Sequence, residues 1–199
     1  NPKNINKIYD YYDDNSYGTV NYASWLSESG GSPPASTGLG SILFTDSDGV
    51  EQLNFASGST LYIQVTDADR NGDDSVSETI TASIASETET TAESVTLTET
   101  GVATGIFMGS ITFAEASANS GDGVLQVTRG DKLTGTFVDP ADDYGNETTV
   151  TDVAFYAVTL TTGSLASNTT WSAASSPYLV TGDVTIGSNI TLTIEAGVE

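Results

Sequence analysis

The sequence predicts an all-β protein. Of its 199 residues, 30 are Thr and 24 are Ser, whereas Met occurs only once. β-Branched side chains suit the pleated, half-exposed surface of a sheet. Apolar residues recur with period two in several short stretches, and we find no apolar repeat with the period of 3.6 that predicts an amphipathic helix.

Charge and residue inventory restrict the function. The chain carries 5 Lys and Arg against 27 Asp and Glu, a formal net charge of −22. Such a surface repels phosphate backbones and anionic lipids, so we expect neither nucleic-acid binding nor membrane insertion. His and Cys are both absent, which excludes imidazole bases, thiol nucleophiles, disulfides and thiolate zinc sites. Carboxylate chemistry and oxygen-binding cations such as Ca²⁺ remain.

The central region, residues 42–162, carries regularly spaced strand signals. Alternation places one set of side chains toward a shared core; the set comprises Leu61, Ile63 and Val65, then Val76, Ile80, Ala82 and Ile84, then Val95 and Leu97. Between Met108 and Ile111 the alternation changes phase, and the glycine there predicts a β-bulge. Leu133 and Phe137 predict a further strand, and residues 148–160 predict a long one. Seven or eight such strands predict a Greek-key β-sandwich of immunoglobulin type.

The two ends of the chain differ from this region. Residues 1–29 hold several tyrosines and Trp25 in a polar context, and residues 30–41 have the Gly, Ser and Pro content of a linker. Residues 163–199 contain two short apolar alternations separated by Gly187 and Ser188. Because open strand edges with apolar faces aggregate unless covered, we expect both terminal segments to pack against another chain or an adjoining module.

Both ends resemble boundaries of right-handed parallel β-helix domains in large bacterial extracellular proteins. The stretch from Trp171 to Gly197 looks like the beginning of such a helix, and residues 6–26 look like the end of one. The middle, residues 61–71 and 97–111, resembles the Ig-like repeats of bacterial surface adhesins. The resemblance implies extracellular placement at the cell surface, repetition and a structural or adhesive role, without catalytic residues.

Two arrangements explain this order of segments. The chain is either an excerpt of a protein that alternates β-helix and sandwich modules, or a filament subunit whose terminal strands complete neighbouring copies by strand addition. In both cases the prediction is a non-enzymatic extracellular structural or adhesive module, in a filament, stalk or adhesin. Its partners are then other copies of itself or adjoining β modules.

Acidic residues cluster at turns and predict a calcium site. Ca²⁺ takes six to eight oxygen ligands, and residues 67–74 place such oxygens on a glycine-containing loop. Counted from Asp67, Gly72 and Glu78 occupy the sixth and twelfth positions of an EF-hand loop, but no flanking helices are predicted. Asp and Asn can instead satisfy backbone groups of a solvated turn. The candidate ligands are Asp67, Asp69, Asn71, Asp73 and Glu78, with a second group of Asp139, Asp142 and Asp143.

Two other functions stay open. A carbohydrate-binding module would use aromatic rings as a stacking platform for glycans, and the candidates are Tyr9, Tyr11, Tyr12, Tyr22 and Trp25. A carbohydrate-active enzyme would need a pair of carboxylates across a cleft. The sequence indicates no aromatic-lined cleft around a pair of glutamates, so we expect no enzyme.

Overall fold

The computed structural model describes residues 38–142 and 145–199, which form an all-β structure. The predicted aromatic segment 1–29 and most of the predicted linker lie outside the described residues. Within the described ranges no α-helix occurs, and two short 3₁₀ turns span Ala68–Arg70 and Ala173–Ser175. The strands are Ser41–Thr45 (β1), Asn54–Phe55 (β2), Thr60–Thr66 (β3), Thr79–Ala85 (β4), Glu93–Glu99 (β5), Ile106–Ala114 (β6), Val124–Gln126 (β7), Lys132–Asp139 (β8), Thr148–Tyr156 (β9), Thr159–Leu165 (β10), Thr169–Trp171 (β11), Tyr178–Ile186 (β12) and Leu192–Ile194 (β13).

The first nine strands form one curled, mixed sheet. Its order is β1-β3-β6-β5-β4-β8-β9-β2, and β7 pairs with the last residues of β6 outside this order. Most pairs are antiparallel, whereas β2 with β9 and β6 with β7 are parallel. The sheet curls until β1 packs against β8 and β9, and the Phe44 amide donates to Asp152 Oδ2 across this contact at 2.6 Å.

The concave side of the sheet holds the hydrophobic core. In β3 the side chains of Leu61, Ile63 and Val65 are fully buried while their neighbours in the strand are half-buried or exposed. β4 and β5 alternate in the same way, so the predicted inward faces of these strands are confirmed. Aromatic rings complete the core: Phe44 meets Phe55 edge to face, with ring centroids 6.4 Å apart.

Three details of the predicted strands are wrong. Val76 is 54% exposed and precedes β4, which begins at Thr79. At Gly109 there is no bulge, because the pairing of β6 with β3 runs on without a register shift. A Cβ atom at Gly109 would lie 2.4 Å from the Thr96 carbonyl oxygen, so this glycine permits a close backbone approach to β5. The predicted strand 148–160 is divided by Ala157, which has a φ of 53°.

The C-terminal region consists of two parallel strand pairs. β10 pairs with β12, and β11 pairs with β13. Trp171 and Tyr178 stack with centroids 4.8 Å apart. Several apolar side chains of this region are about half exposed, namely Leu160, Val180, Ile186 and Ile194.

The pairing brings seven strand ends to one end of the sheet, among them the beginning of β9, where Thr148 opposes Asp139. Ser41 opposes Thr66, and Thr66 opposes Ile106, so β1 and β6 begin where β3 ends. Thr79 opposes Thr98, so β4 begins where β5 ends. β8 runs antiparallel to β4 and therefore ends at the same place. We call this place the acidic end of the sheet, because Asp67, Glu78, Glu99 and Asp139 all lie at these strand ends.

Candidate metal centre

Three carboxylates from the ends of two separate strands meet at the acidic end. Asp67 directly follows β3, Asp69 lies in the 3₁₀ turn after it, and Asp139 is the last residue of β8. One carboxylate oxygen from each of the three lies within 4.8 Å of the others. Two oxygens that bind the same Ca²⁺ at about 2.4 Å lie at most about 4.8 Å apart. The three carboxylates, which we call the Asp trio, are therefore close enough to share one cation.

Asp67 is the buried member that most needs a partner. Its side chain is 2% exposed, and neither carboxylate oxygen has a hydrogen-bond partner among the residues that the structure describes. Burial, together with the nearby carboxyl groups of Asp69 and Asp139, raises the pKa of Asp67 from 3.8 to about 7. Burying a charge without compensation is costly. Either a proton or a cation must therefore relieve this carboxylate.

Backbone groups hold the trio in place. The Gly40 amide donates to Asp139 Oδ2 at 2.7 Å, and the Ala141 amide donates to Asp139 Oδ1 at 2.9 Å. The Asp67 amide donates to the carbonyl oxygen of Gly105 at 2.8 Å. Gly105 has a φ of +60°, and a Cβ atom there would lie 3.1 Å from the Asp67 carbonyl oxygen, so glycine is required. Backbone groups from three segments thus hold the Asp139 carboxylate and the Asp67 backbone without occupying the carboxylate oxygens of Asp67.

Further oxygens without partners lie beside the trio. Buried oxygens of Asp69, Asn71, Glu78 and Glu99 also have no hydrogen-bond partner. The Asp73 amide donates to Glu78 Oε1 at 2.7 Å, which leaves Oε2 of Glu78 without a partner. With the two oxygens of Asp67, six oxygens at this end of the sheet lack partners among the described residues. Polar groups buried in proteins are otherwise almost always satisfied.

The structure brings some of the predicted ligands together and keeps others apart. Asp67, Asp69 and Asp139 come together, and Asn71 and Glu78 contribute buried oxygens without partners. Asp73 is exposed, and its Oδ1 accepts hydrogen bonds from the amide and hydroxyl groups of Ser75, which lower its pKa. Asp142 closes its own turn by accepting from the Asn146 amide and the Thr148 hydroxyl. Asp143 lies outside the described residues.

Sequence reasoning missed Glu99, although a signal was present. In β5, Glu93, Val95, Leu97 and Glu99 share one parity, and all four are buried. A carboxylate that continues an inward-facing apolar row must be satisfied inside the protein. Glu93 receives amide hydrogen bonds from Gly121 and Gly123 at the opposite end of β5. Glu99 accepts from the Thr104 and Gly105 amides with one oxygen only.

The donor set restricts what this site can hold. All of its ligand atoms are carboxylate or amide oxygens, and the chain contains neither His nor Cys. Oxygen-only donors on irregular loops are typical of Ca²⁺, whereas zinc and copper prefer imidazole and thiolate. The residues present therefore fit Ca²⁺.

Comparison with known proteins adds no assignment. The chain matches no protein-family model and none of the curated proteins. Within the described ranges no helix is long and apolar enough to cross a membrane.

Proposed function

We propose that this chain is a non-enzymatic extracellular structural module whose β-sheet domain is stabilised by bound Ca²⁺. Residues 42–162 form an Ig-like Greek-key sandwich in this proposal, and the terminal segments join it to adjoining β modules or to other copies. The single observation that carries the calcium role is the group of six buried oxygens without partners at the acidic end.

Calcium also fits the environment that the proposal assigns. Ca²⁺ sites of extracellular modules typically bind with dissociation constants of about 10⁻⁴–10⁻³ M, and extracellular Ca²⁺ is usually millimolar. Even a weak site is then filled. A bound cation would neutralise like charges. Its binding energy would also offset the conformational entropy that the loop 67–78 loses when it becomes ordered.

The C-terminal strands support the second part of the proposal. β10 with β12 and β11 with β13 are parallel pairs, as in a β-helix, where successive strands stack in one direction. Half-exposed Val180 and Ile186 lie on β12. A further β strand or module stacked on this region would cover them, which favours continuation into a neighbouring β structure.

Thermal unfolding tests the calcium role. The full chain should melt several degrees higher in millimolar Ca²⁺ than in EGTA, because binding to the native state alone adds about 2.7 kcal/mol when Ca²⁺ exceeds its dissociation constant a hundredfold. Mg²⁺ at the same concentration should give a much smaller rise, since it requires a tighter octahedral geometry.

A matched variant separates site binding from charge screening. Asp139→Asn should lose most of the rise caused by Ca²⁺, because it removes a charged oxygen of the trio. Asp48→Asn, which makes the same change of charge at an exposed turn, should retain the rise. Equal melting temperatures in Ca²⁺, Mg²⁺ and EGTA would contradict the proposal.

A further inference from the structure

Two glutamates beside the Asp trio present a separate pair of oxygens. Glu99 is 4% exposed, and its side chain contacts that of Glu78. The backbone joins them as well, since the Glu99 amide donates to the Glu78 carbonyl oxygen at 2.9 Å. Oε2 of each glutamate is buried and has no hydrogen-bond partner within the described ranges. Two like carboxylates in contact, each with a buried oxygen that lacks a partner, are relieved either by a shared proton or by a cation.

The other oxygen of each glutamate is already anchored. Glu99 Oε1 accepts from the Thr104 amide at 2.7 Å and from the Gly105 amide at 2.8 Å. Glu78 Oε1 accepts from the Asp73 amide. Both side chains are therefore fixed with one oxygen each left for a ligand.

One cation at the Asp trio does not satisfy this pair. In the described part of the chain, one group of three acidic residues is close enough to share an ion, namely Asp67, Asp69 and Asp139, and neither glutamate belongs to it. A single Ca²⁺ would leave three of the five negative charges uncompensated. Asn71, whose Oδ1 is buried without a partner, supplies a neutral oxygen in the loop that also anchors Glu78.

We infer that the acidic end binds a second Ca²⁺ at Glu78 and Glu99, with Asn71 as a further ligand, beside the ion held by the Asp trio. Gly105 links the two positions, because its amide anchors Glu99 and its carbonyl accepts from the Asp67 amide. Filling either position orders the residue that supports the other. The inference rests on the proposed calcium role and specifies its stoichiometry and its second set of ligands.

Calorimetric titration of the chelator-treated full chain with Ca²⁺, in physiological salt, tests this inference. The wild-type chain should bind two ions, and Glu99→Gln should bind one. Gln keeps the oxygen that accepts from Thr104 and Gly105, so this variant preserves the anchoring hydrogen bonds. Asp48→Asn is the matched control and should bind as many ions as the wild type.

Each outcome has a distinct meaning. One ion in the wild type, or no change on Glu99→Gln, overturns the second site and leaves the proposed function standing. No bound ion overturns both. Circular dichroism checks the fold of the variant, and Glu78→Gln replaces it if it is unfolded. Energy transfer from Tb³⁺ to Nd³⁺ bound to the wild-type chain needs no variant: the inference expects transfer between neighbouring ions, and its absence overturns the second site.

Discussion

Replacing Asp67 by Asn should change stability in opposite directions with and without Ca²⁺. Without a cation, the buried carboxyl has a pKa of about 7 in the fold against an ordinary value of 3.8. Because the folded state holds its proton more tightly, stability contributed by this group is complete below pH 3.8 and is lost as the pH rises to 7. Above pH 7 the loss is constant.

The size of the effect follows from the same values. A pKa of about 7 in the fold corresponds to a free energy of unfolding that is lower by about 4 kcal/mol at pH 8. Solvent screening at the end of the sheet reduces this figure, and we expect about 1–2 kcal/mol. Asn has the same shape and no charge. In EGTA at pH 8 the variant should therefore melt roughly 2–8 °C above the wild type.

With millimolar Ca²⁺ the order should reverse, because the wild type gains the binding energy and the variant has lost a ligand. The assay is thermal unfolding followed by circular dichroism from pH 4 to 8, in EGTA and in Ca²⁺. Asp48→Asn controls for the general relief of negative charge. The reasoning is refuted if Asp67→Asn destabilises the chain in EGTA at pH 8, or if its melting temperature falls between pH 4 and 7 as steeply as that of the wild type.

Two further predictions concern packing and association. Gly109→Ala should lower the free energy of unfolding by roughly 2–3 kcal/mol, because its Cβ atom would lie 2.4 Å from the Thr96 carbonyl oxygen. Gly38→Ala, in open space, should melt like the wild type. Similar melting of both variants would contradict the close approach. Val180→Lys should reduce self-association in sedimentation velocity without changing the melting temperature of the sheet domain. Val50→Lys, at a similarly exposed position beside a turn, should leave self-association unchanged. A monomeric wild type would contradict association through this region.

Strand faces could be predicted because period two is a property of the chain itself. Leu61, Ile63 and Val65 reveal their inward face without any knowledge of a partner. The neighbours of each strand could not be predicted in this way. β2 joins the sheet through only two residues, beside a strand distant in sequence. A glycine within a strand is equally ambiguous, since a bulge and a close approach both require it, and only the pairing of β6 distinguishes them at Gly109.

The same distinction applies to the candidate site: its residues within one loop could be grouped from the sequence, whereas those that the fold brings together could not. Asp67, Asp69, Asn71 and Glu78 lie in one loop, so their spacing alone suggests a common cation. Asp139 was predicted in a separate acidic group, because the curl that brings the end of β8 to the end of β3 has no local sequence signal. Glu99 was detectable from its parity in β5, as it continues the buried row of Val95 and Leu97.

The path of the chain gives the acidic end a mechanical meaning under the proposed function. The described chain enters the sheet beside the Asp trio, where the Gly40 amide is bonded to Asp139. It leaves from the other end: β9 pairs with β8 so that Thr148 opposes Asp139 and Phe155 opposes Lys132. A force transmitted from the N-terminal side to the C-terminal strands therefore crosses the whole length of the sheet. Under the proposed function, cations that join the ends of β3, β5 and β8 would reinforce the end at which such a force enters, where like charges would otherwise separate the loops.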